Sequence, residues 1–373
     1  MPESLHRLYA LPHSLYSGKV RSYLRYKGLP FEERVSTLAE FRRFIIPRTG
    51  IKFIPVVQTP DDVVVQDSTE TMDLLEARFP ARGVLPATPV QRLVAQLVEL
   101  YGDEWLLLPA MHYRWSFWHE RAHIDDVLEH FGMLLSPKAP RWLRRLAGRQ
   151  FCKPFDGALP VLGITARTIP ALEASYEALL DELDAHFARH RYLLGARASV
   201  GDFGLIGPLY AHLGRDPYPK ALMQRRAPNV WAWVQRMNEA APPIGDWLPD
   251  DAIPDSLLPV LRRMFAEQGP VLIDTVAQVE RWLAEHPQAS RLPRYVGRHA
   301  FRLGDVEETR SVFPYPQWML QRALDTHAGL DGEARQRADA LLASTGGTAL
   351  MQVAIRRRVA RRQHRLVPDA APP

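Results

Sequence analysis

The sequence predicts an α/β domain of element order βαβαββα, then an all-helical domain, then a mostly helical extension with one β-hairpin. Three observations predict it. Across residues 1–80, short β-branched and aromatic runs alternate with segments of helical period. After Pro80 the strand signals stop and apolar residues recur at helical spacing. A Pro-rich break over 241–254 then opens a third region.

The elements follow in order. Residues 6–11 form a short apolar strand. Residues 14–27 read as a helix with Val20, Tyr23 and Leu24 on one face, stopped by Gly28 and Leu29-Pro30. Residues 31–35 read as a strand and 37–46 as a helix ended by Pro47. Two β-rich runs, 53–58 and 63–66, flank a Thr-Pro-Asp-Asp turn. A helix over 67–79 carries a capping box at Asp67 and Glu70, with Met72, Leu75 and Phe79 on one face.

Beyond Pro80, helices are predicted over 90–108, 170–190, 199–213 and 227–239. The Trp-, Arg- and Pro-rich stretch 111–168 reads as helical insertions. In the third region, 257–267 and 271–286 read as helices. Residues 295–313 read as a hairpin turning at Leu303-Gly304-Asp305, with two further helices starting near Gln317 and Glu333. The expected domains are 1–82, 83–248 with the insertion at about 111–168, and 249–373.

Composition bounds the function. The chain has 373 residues, is 46% hydrophobic and 24% charged, and carries a net charge of +5. That length exceeds one compact core, and the balance is that of a globular protein. Residues 356–373 contain six Arg and one Asp, so the rest of the chain is neutral. The six are Arg356, Arg357, Arg358, Arg361, Arg362 and Arg365, with no aromatic among them to stack on bases. This argues against a broad nucleic-acid surface. A packed helix ending in a solvated basic tail is the expectation for this stretch. The single cysteine, Cys152, excludes an intramolecular disulfide, a CxxC pair and a thiolate zinc site. No basic segment leads into an apolar run at the N-terminus, and no stretch approaches the ~18 apolar residues of a membrane span. A cytoplasmic protein without a membrane span is expected.

Four segments carry the functional reading. The first is Leu8-Tyr9-Ala10-Leu11-Pro12-His13-Ser14-Leu15-Tyr16-Ser17-Gly18-Lys19-Val20-Arg21, a strand, loop and helix start with two serines at the cap. The second is Phe53-Ile54-Pro55-Val56-Val57, a proline inside a strand-like run. The third is Gln66-Asp67-Ser68 at a helix N-terminus, where backbone N–H groups favour a carboxylate. The fourth is Tyr192-Leu193-Leu194-Gly195 followed by Ser199-Val200-Gly201-Asp202-Phe203, a capping box.

Together these segments resemble the cytosolic glutathione transferases, from about residue 6 to about 239. The resemblance implies a thioredoxin-like first domain, a glutathione-transferase helical bundle and a homodimer. It implies that Ser14, or alternatively Ser17, donates a hydrogen bond to the thiolate of glutathione, as in zeta-like members; omega-like members carry Cys there. It implies a cis bond before Pro55, with the Ile54 backbone pairing with the cysteinyl unit of glutathione. Ser68 and Asp67, with Gln66, would hold the γ-glutamyl end, and Lys52 or Arg48 the glycyl carboxylate. Tyr101, Trp105, His112, Tyr113 and Trp115 are candidates for the wall of an acceptor pocket, or for core. Ser199 and Asp202 would mark the fold and carry no chemistry.

The activity expected is activation of glutathione, as co-substrate, for attack on a hydrophobic electrophilic small molecule. Isomerisation or ether cleavage would begin from the same thiolate. A non-catalytic scaffold on the same fold is the alternative, and the long extension suits it. A remote alternative comes from His119-Glu120-Arg121-Ala122-His123, which satisfies H-E-x-x-H. On a helix this pattern places two imidazoles on one face for zinc, with the glutamate as general base. Its surroundings lack a well-placed third ligand: Asp126 and Glu129 stand where the extended pattern has Gly and His, and the next Glu is Glu173. No bound metal is expected.

Overall fold

The structure is a computed structural model that describes residues 5–117 and 120–369. The first strand β1 (His6–Ala10) is followed by α1 (Leu15–Lys27), β2 (Phe31–Val35), and the short turns α2 (Leu38–Glu40) and α3 (Ile46–Thr49), joined through a wider π-type coil at Phe41–Ile45. Next come β3 (Val56–Gln58), β4 (Val64–Gln66) and α4 (Ser68–Arg78). The sheet order is β2-β1-β3-β4. Strand β1 is parallel to β2 and antiparallel to β3, and β3 is antiparallel to β4. This is the predicted βαβαββα layer. Val20, Tyr23 and Leu24 of α1 are fully buried. Gly28 closes α1 at φ 69°, a left-handed cap that a side chain would disfavour.

Helices follow at α5 (Pro89–Leu100), α6 (Leu107–Trp115), α7 (Arg121–Phe131), α8 (Arg141–Asp156), α9 (Ile169–Phe187), α10 (Val200–Ala211), α11 (Pro217–Arg226) and α12 (Pro228–Arg236). Strand pairing is absent from this stretch among the described residues, apart from isolated bridges of Gly195 with Tyr192 and Trp247. The extension contains α13 (Leu258–Glu267), α14 (Gly269–Glu285), the hairpin β5 (Arg298–Leu303) and β6 (Val306–Ser311), α15 (Tyr315–Ala328), α16 (Gly332–Thr345), α17 (Thr348–Met351), and a second hairpin of β7 (Val359–Arg362) and β8 (Arg365–Pro368).

Several local readings change. The strand expected from residue 53 begins only at Val56, after the proline. Phe79 does not share the buried face of Met72 and Leu75; it caps the end of α4 and is exposed. The helix expected over 90–108 is interrupted by a π-type coil at Tyr101–Trp105. The basic C-terminal stretch is not a helix ending in a solvated tail. It folds into the β7–β8 hairpin, with Gln363 and His364 at the turn, both at positive φ.

By contacts the chain divides into two compact units. One comprises the described residues of Met1–Val84, Leu106–Leu159 and Phe203–Ile244; the other Leu85–Trp105, Pro160–Asp202 and Gly245–Pro373. In the first, Tyr9, Ile45 and Val56 form a buried cluster on the sheet, with Phe41, Phe44, Ile54 and Val64 packed against it. In the second, Val279, Leu283, Leu292 and Val359 form a buried cluster joining α14 to the last hairpin.

Asp202 anchors the start of α10 within the second unit. Its carboxylate accepts from the Ser199 N–H and hydroxyl, both at 2.9 Å, and from the Leu193 N–H at 3.1 Å. Gly201 sits where a Cβ would lie 3.1 Å from the Ala95 carbonyl oxygen and 3.2 Å from Val98. Close backbone approach to α5 accounts for glycine at this helical position.

Candidate active site

Sheet register gathers the first unit's site residues. Tyr9 pairs with Val56, and Val56 pairs with Gln66. The loop after β1, the proline before β3 and the end of β4 therefore share one end of the sheet. The Ile54–Pro55 bond is cis. The Asp67 N–H reaches the Pro55 carbonyl at 3.4 Å, which ties the proline turn to the start of α4.

Ser14 is the N-cap of α1. It has extended backbone, φ −79° and ψ 123°, and its Oγ accepts the Ser17 N–H at 3.3 Å. A capping hydroxyl uses lone pairs, so its own proton stays available to a ligand at the helix N-terminus. Ser17, one turn further along α1, is 0% exposed. The two candidate donors thus occupy different environments: Ser14 half-buried at the cap, Ser17 in the interior.

At the second helix start, the Asp67 carboxylate caps α4, accepting from Thr69 N–H at 2.8 Å and Glu70 N–H at 3.2 Å. Ser68 is the first residue of α4 and is buried, as is Gln66. The buried Lys19 of α1 donates to the Thr69 hydroxyl at 3.1 Å, bracing α1 against the first turn of α4. Lys52 is exposed, and Arg48 is engaged by Asp62 at 3.1 Å.

A buried ion pair holds the loop before α1. Arg114 on α6 meets Asp216 through Nε and Nη2, at 2.7 and 2.8 Å. The same guanidinium donates to the His13 carbonyl at 2.7 Å and the Ala211 carbonyl at 2.8 Å. Four of its five N–H groups meet acceptors, which orients the backbone directly before Ser14. Sequence reasoning did not select Arg114 or Asp216. They pair across a hundred residues, and neither lies in a local pattern.

The aromatic candidates fall in two places. Tyr101 and Trp105 belong to the second unit, where Trp105 donates to Glu267 at 3.0 Å. His112, Tyr113 and Trp115 belong to the first unit, on α6. All five are buried, and burial raises the Tyr101 phenol well above its ordinary pKa.

The H-E-x-x-H residues are not gathered as a ligand set among the described residues. His119 lies outside the described residues. Glu120 precedes α7 as an exposed cap residue, and the buried His123 donates from Nε2 to the Arg114 carbonyl at 2.8 Å. A different set is gathered nearby. His13 Nε2 lies 3.2 Å from Asp126 Oδ2, and His130 Nδ1 lies 3.5 Å from the same oxygen. The two imidazole rings face each other at 3.7 Å. Burial holds the His13 imidazole well below its ordinary pKa, opposed by its bond to Asp126. Despite partial burial, hydrogen bonds from both histidines keep Asp126 ionised, with its pKa lowered.

Residues 8–83 match the family of glutathione S-transferase N-terminal domains, and residues 166–236 match glutathione S-transferase C-terminal domains. The chain carries the two domains of the glutathione transferase superfamily. The thioredoxin-like sheet, the cis proline and the helical segment opened by Ser199 and Asp202 are the glutathione-transferase fold in this chain. Among solved structures, a glutathione S-transferase from Rhodospirillum rubrum F11 is 16% identical; the match covers 67% of this chain and 97% of that one, at a TM-score of 0.40. A glutathione S-transferase from Methylobacterium radiotolerans JCM 2831, in complex with glutathione sulfonate, is 20% identical over 65% of this chain and 99% of its own, TM-score 0.39. The beta-etherase LigF from Sphingobium sp. strain SYK-6 is 20% identical over 62% and 94%, TM-score 0.43. No curated protein matches this glutathione-transferase chain. No described helix is long and apolar enough to cross a membrane.

Proposed function

We propose that this protein is a glutathione-dependent transferase that ionises the thiol of glutathione at Ser14 and directs it at an electrophilic small molecule. The observation that carries this reading is the position of Ser14: an N-cap with a free hydroxyl proton, on a loop fixed by Arg114, at the sheet end shared with Pro55 and Ser68. Ser14 donates to the sulfur, and the N-terminus of α1 adds favourable potential for a thiolate. The Ile54 backbone pairs with the cysteinyl unit. The N-terminus of α4, with Ser68, receives the γ-glutamyl carboxylate, beside Gln66 and Asp67. Lys52 meets the glycyl carboxylate. The glutathione-binding part is residues 1–82.

Chemistry then needs only positioning and charge. Glutathione arrives with its own sulfur and the cap lowers its pKa, so the thiol proton is lost to solvent. The thiolate then displaces the electrophile's leaving group as an anion, or adds to an activated double bond with uptake of a proton from solvent. The test is retention on immobilised glutathione together with turnover of a generic aryl halide. Ser14→Ala should lose about 100-fold in turnover, the scale of one removed anion-stabilising donor, while still binding glutathione. Ser68→Ala should weaken retention. Glutathione binding without turnover on a panel of electrophiles would favour a non-catalytic binding protein. Absence of binding at millimolar glutathione would overturn the reading.

A further inference from the structure

We propose that His13, Asp126 and His130 form a binding site for a divalent transition-metal ion of the zinc class. The proposal is independent of the glutathione reading, because it rests on a different set of side chains. One nitrogen from each imidazole and one oxygen from Asp126 all lie within 4.8 Å of one another. Around a four-coordinate zinc, ligand atoms at ~2.0–2.1 Å sit about 3.3 Å apart. The 3.2 Å separation of His13 Nε2 from Asp126 Oδ2 matches that spacing. Two imidazoles and one carboxylate suit zinc, cobalt or nickel, and do not suit magnesium or calcium.

The surroundings are built in a way that suits a ligand set. His13 is held by its own backbone, whose carbonyl accepts from Arg114 at 2.7 Å. The Asp126 carbonyl accepts from His130 Nδ1 at 2.8 Å, a bond that fixes the tautomer and leaves Nε2 with a free lone pair. The His13 side chain is 5% exposed, whereas Asp126 is 39% exposed. The ion would therefore enter from the Asp126 side. Three protein ligands leave a fourth position for water. The ion would link the loop just before Ser14 to α7, in a stretch that the family matches at 8–83 and 166–236 leave uncovered at α7.

The experiment uses the full chain without an affinity tag, stripped by chelator and dialysed. Zinc is titrated by calorimetry, and cobalt by visible absorption as a spectroscopic stand-in. One equivalent per chain is expected, with cobalt bands of a nitrogen–oxygen site of low coordination number and a rise in melting temperature on zinc addition. Asp126→Asn and His130→Ala should each lose the equivalent, or weaken it at least 100-fold, while their metal-free melting temperatures stay near that of the parent. His119→Ala should keep full binding. No stoichiometric binding in the parent chain, unchanged binding in both site variants, or loss confined to His119→Ala would each overturn the proposal.

Discussion

Ser14 and Ser17 lie three residues apart, one at the helix cap and half-buried, the other one turn in and fully buried. The sequence offered both as donors; burial separates them. Arg114 is the residue on which that loop depends, and it joins a buried pair whose members each keep the other satisfied. Arg114→Met should destabilise the chain by about 3–5 kcal/mol, because Asp216 is left as a buried uncompensated charge. Chemical denaturation measures it, and a loss under 1 kcal/mol would contradict this account. Ser14 was legible because caps and helix starts are local patterns. Arg114, Asp216, Asp126 and His130 were not, because what defines them is a partner distant along the chain. His186 adds a pH dependence. In α9 its Nε2 donates to the Tyr192 carbonyl at 3.4 Å and its Nδ1 accepts from the Ser256 hydroxyl at 2.9 Å. Burial, then the neighbouring His190, push its pKa down from 6.5 to about 4. The unfolded chain binds the proton first, so stability is full above pH 6.5 and falls between 6.5 and 4. The drop is on the order of 3 kcal/mol. His186→Asn should flatten that part of a melting-temperature profile; an unchanged slope would remove His186 as its source.

Elements were read well where one pattern sufficed. The stripe of Leu172, Tyr176, Leu179, Leu183 and Phe187 is buried along α9, as its period requires. The Ser199–Asp202 pair does cap α10, although the dominant bonds converge on the Asp202 carboxylate and include the Leu193 N–H. Asp202→Ala should therefore cost about 3 kcal/mol, since it strips an ionised acceptor from several buried donors; thermal unfolding of the variant checks this. The last hairpin was the clear misreading. Arg-Arg-Gln-His-Arg has no Gly or Asn to announce a two-residue turn, and the strand residues Val359 to Arg362 do not alternate apolar with polar. What folds it is tertiary. The Gln321 side chain bonds Val359 through both its backbone groups, at 2.8 and 3.0 Å, and the Leu292 N–H reaches the Leu366 carbonyl at 2.9 Å.

At the scale of the whole molecule, the positive charge changes meaning. Arg358 pairs with Asp325 at 2.6 Å and Arg362 with Asp369 at 2.8 Å, while Arg361 lies over the rings of Tyr315 and Trp318. The cluster is part of the second unit's packing. A chain stopped after residue 355 should lose the buried Val359 and the partners of Gln321, and melt well below the parent. Equal melting temperatures would show the hairpin to be dispensable.

The division of the chain has a consequence for its birth on the ribosome. Each unit draws on three separated stretches, and the stretches alternate along the sequence. The first unit cannot be complete until residue 244 has been made, and the second waits for the strand that ends at Pro368. For most of its synthesis the nascent chain therefore carries two half-built cores at once. The sheet and α1 can pair early, but Arg114 and Asp216 must wait for each other across a segment that belongs elsewhere.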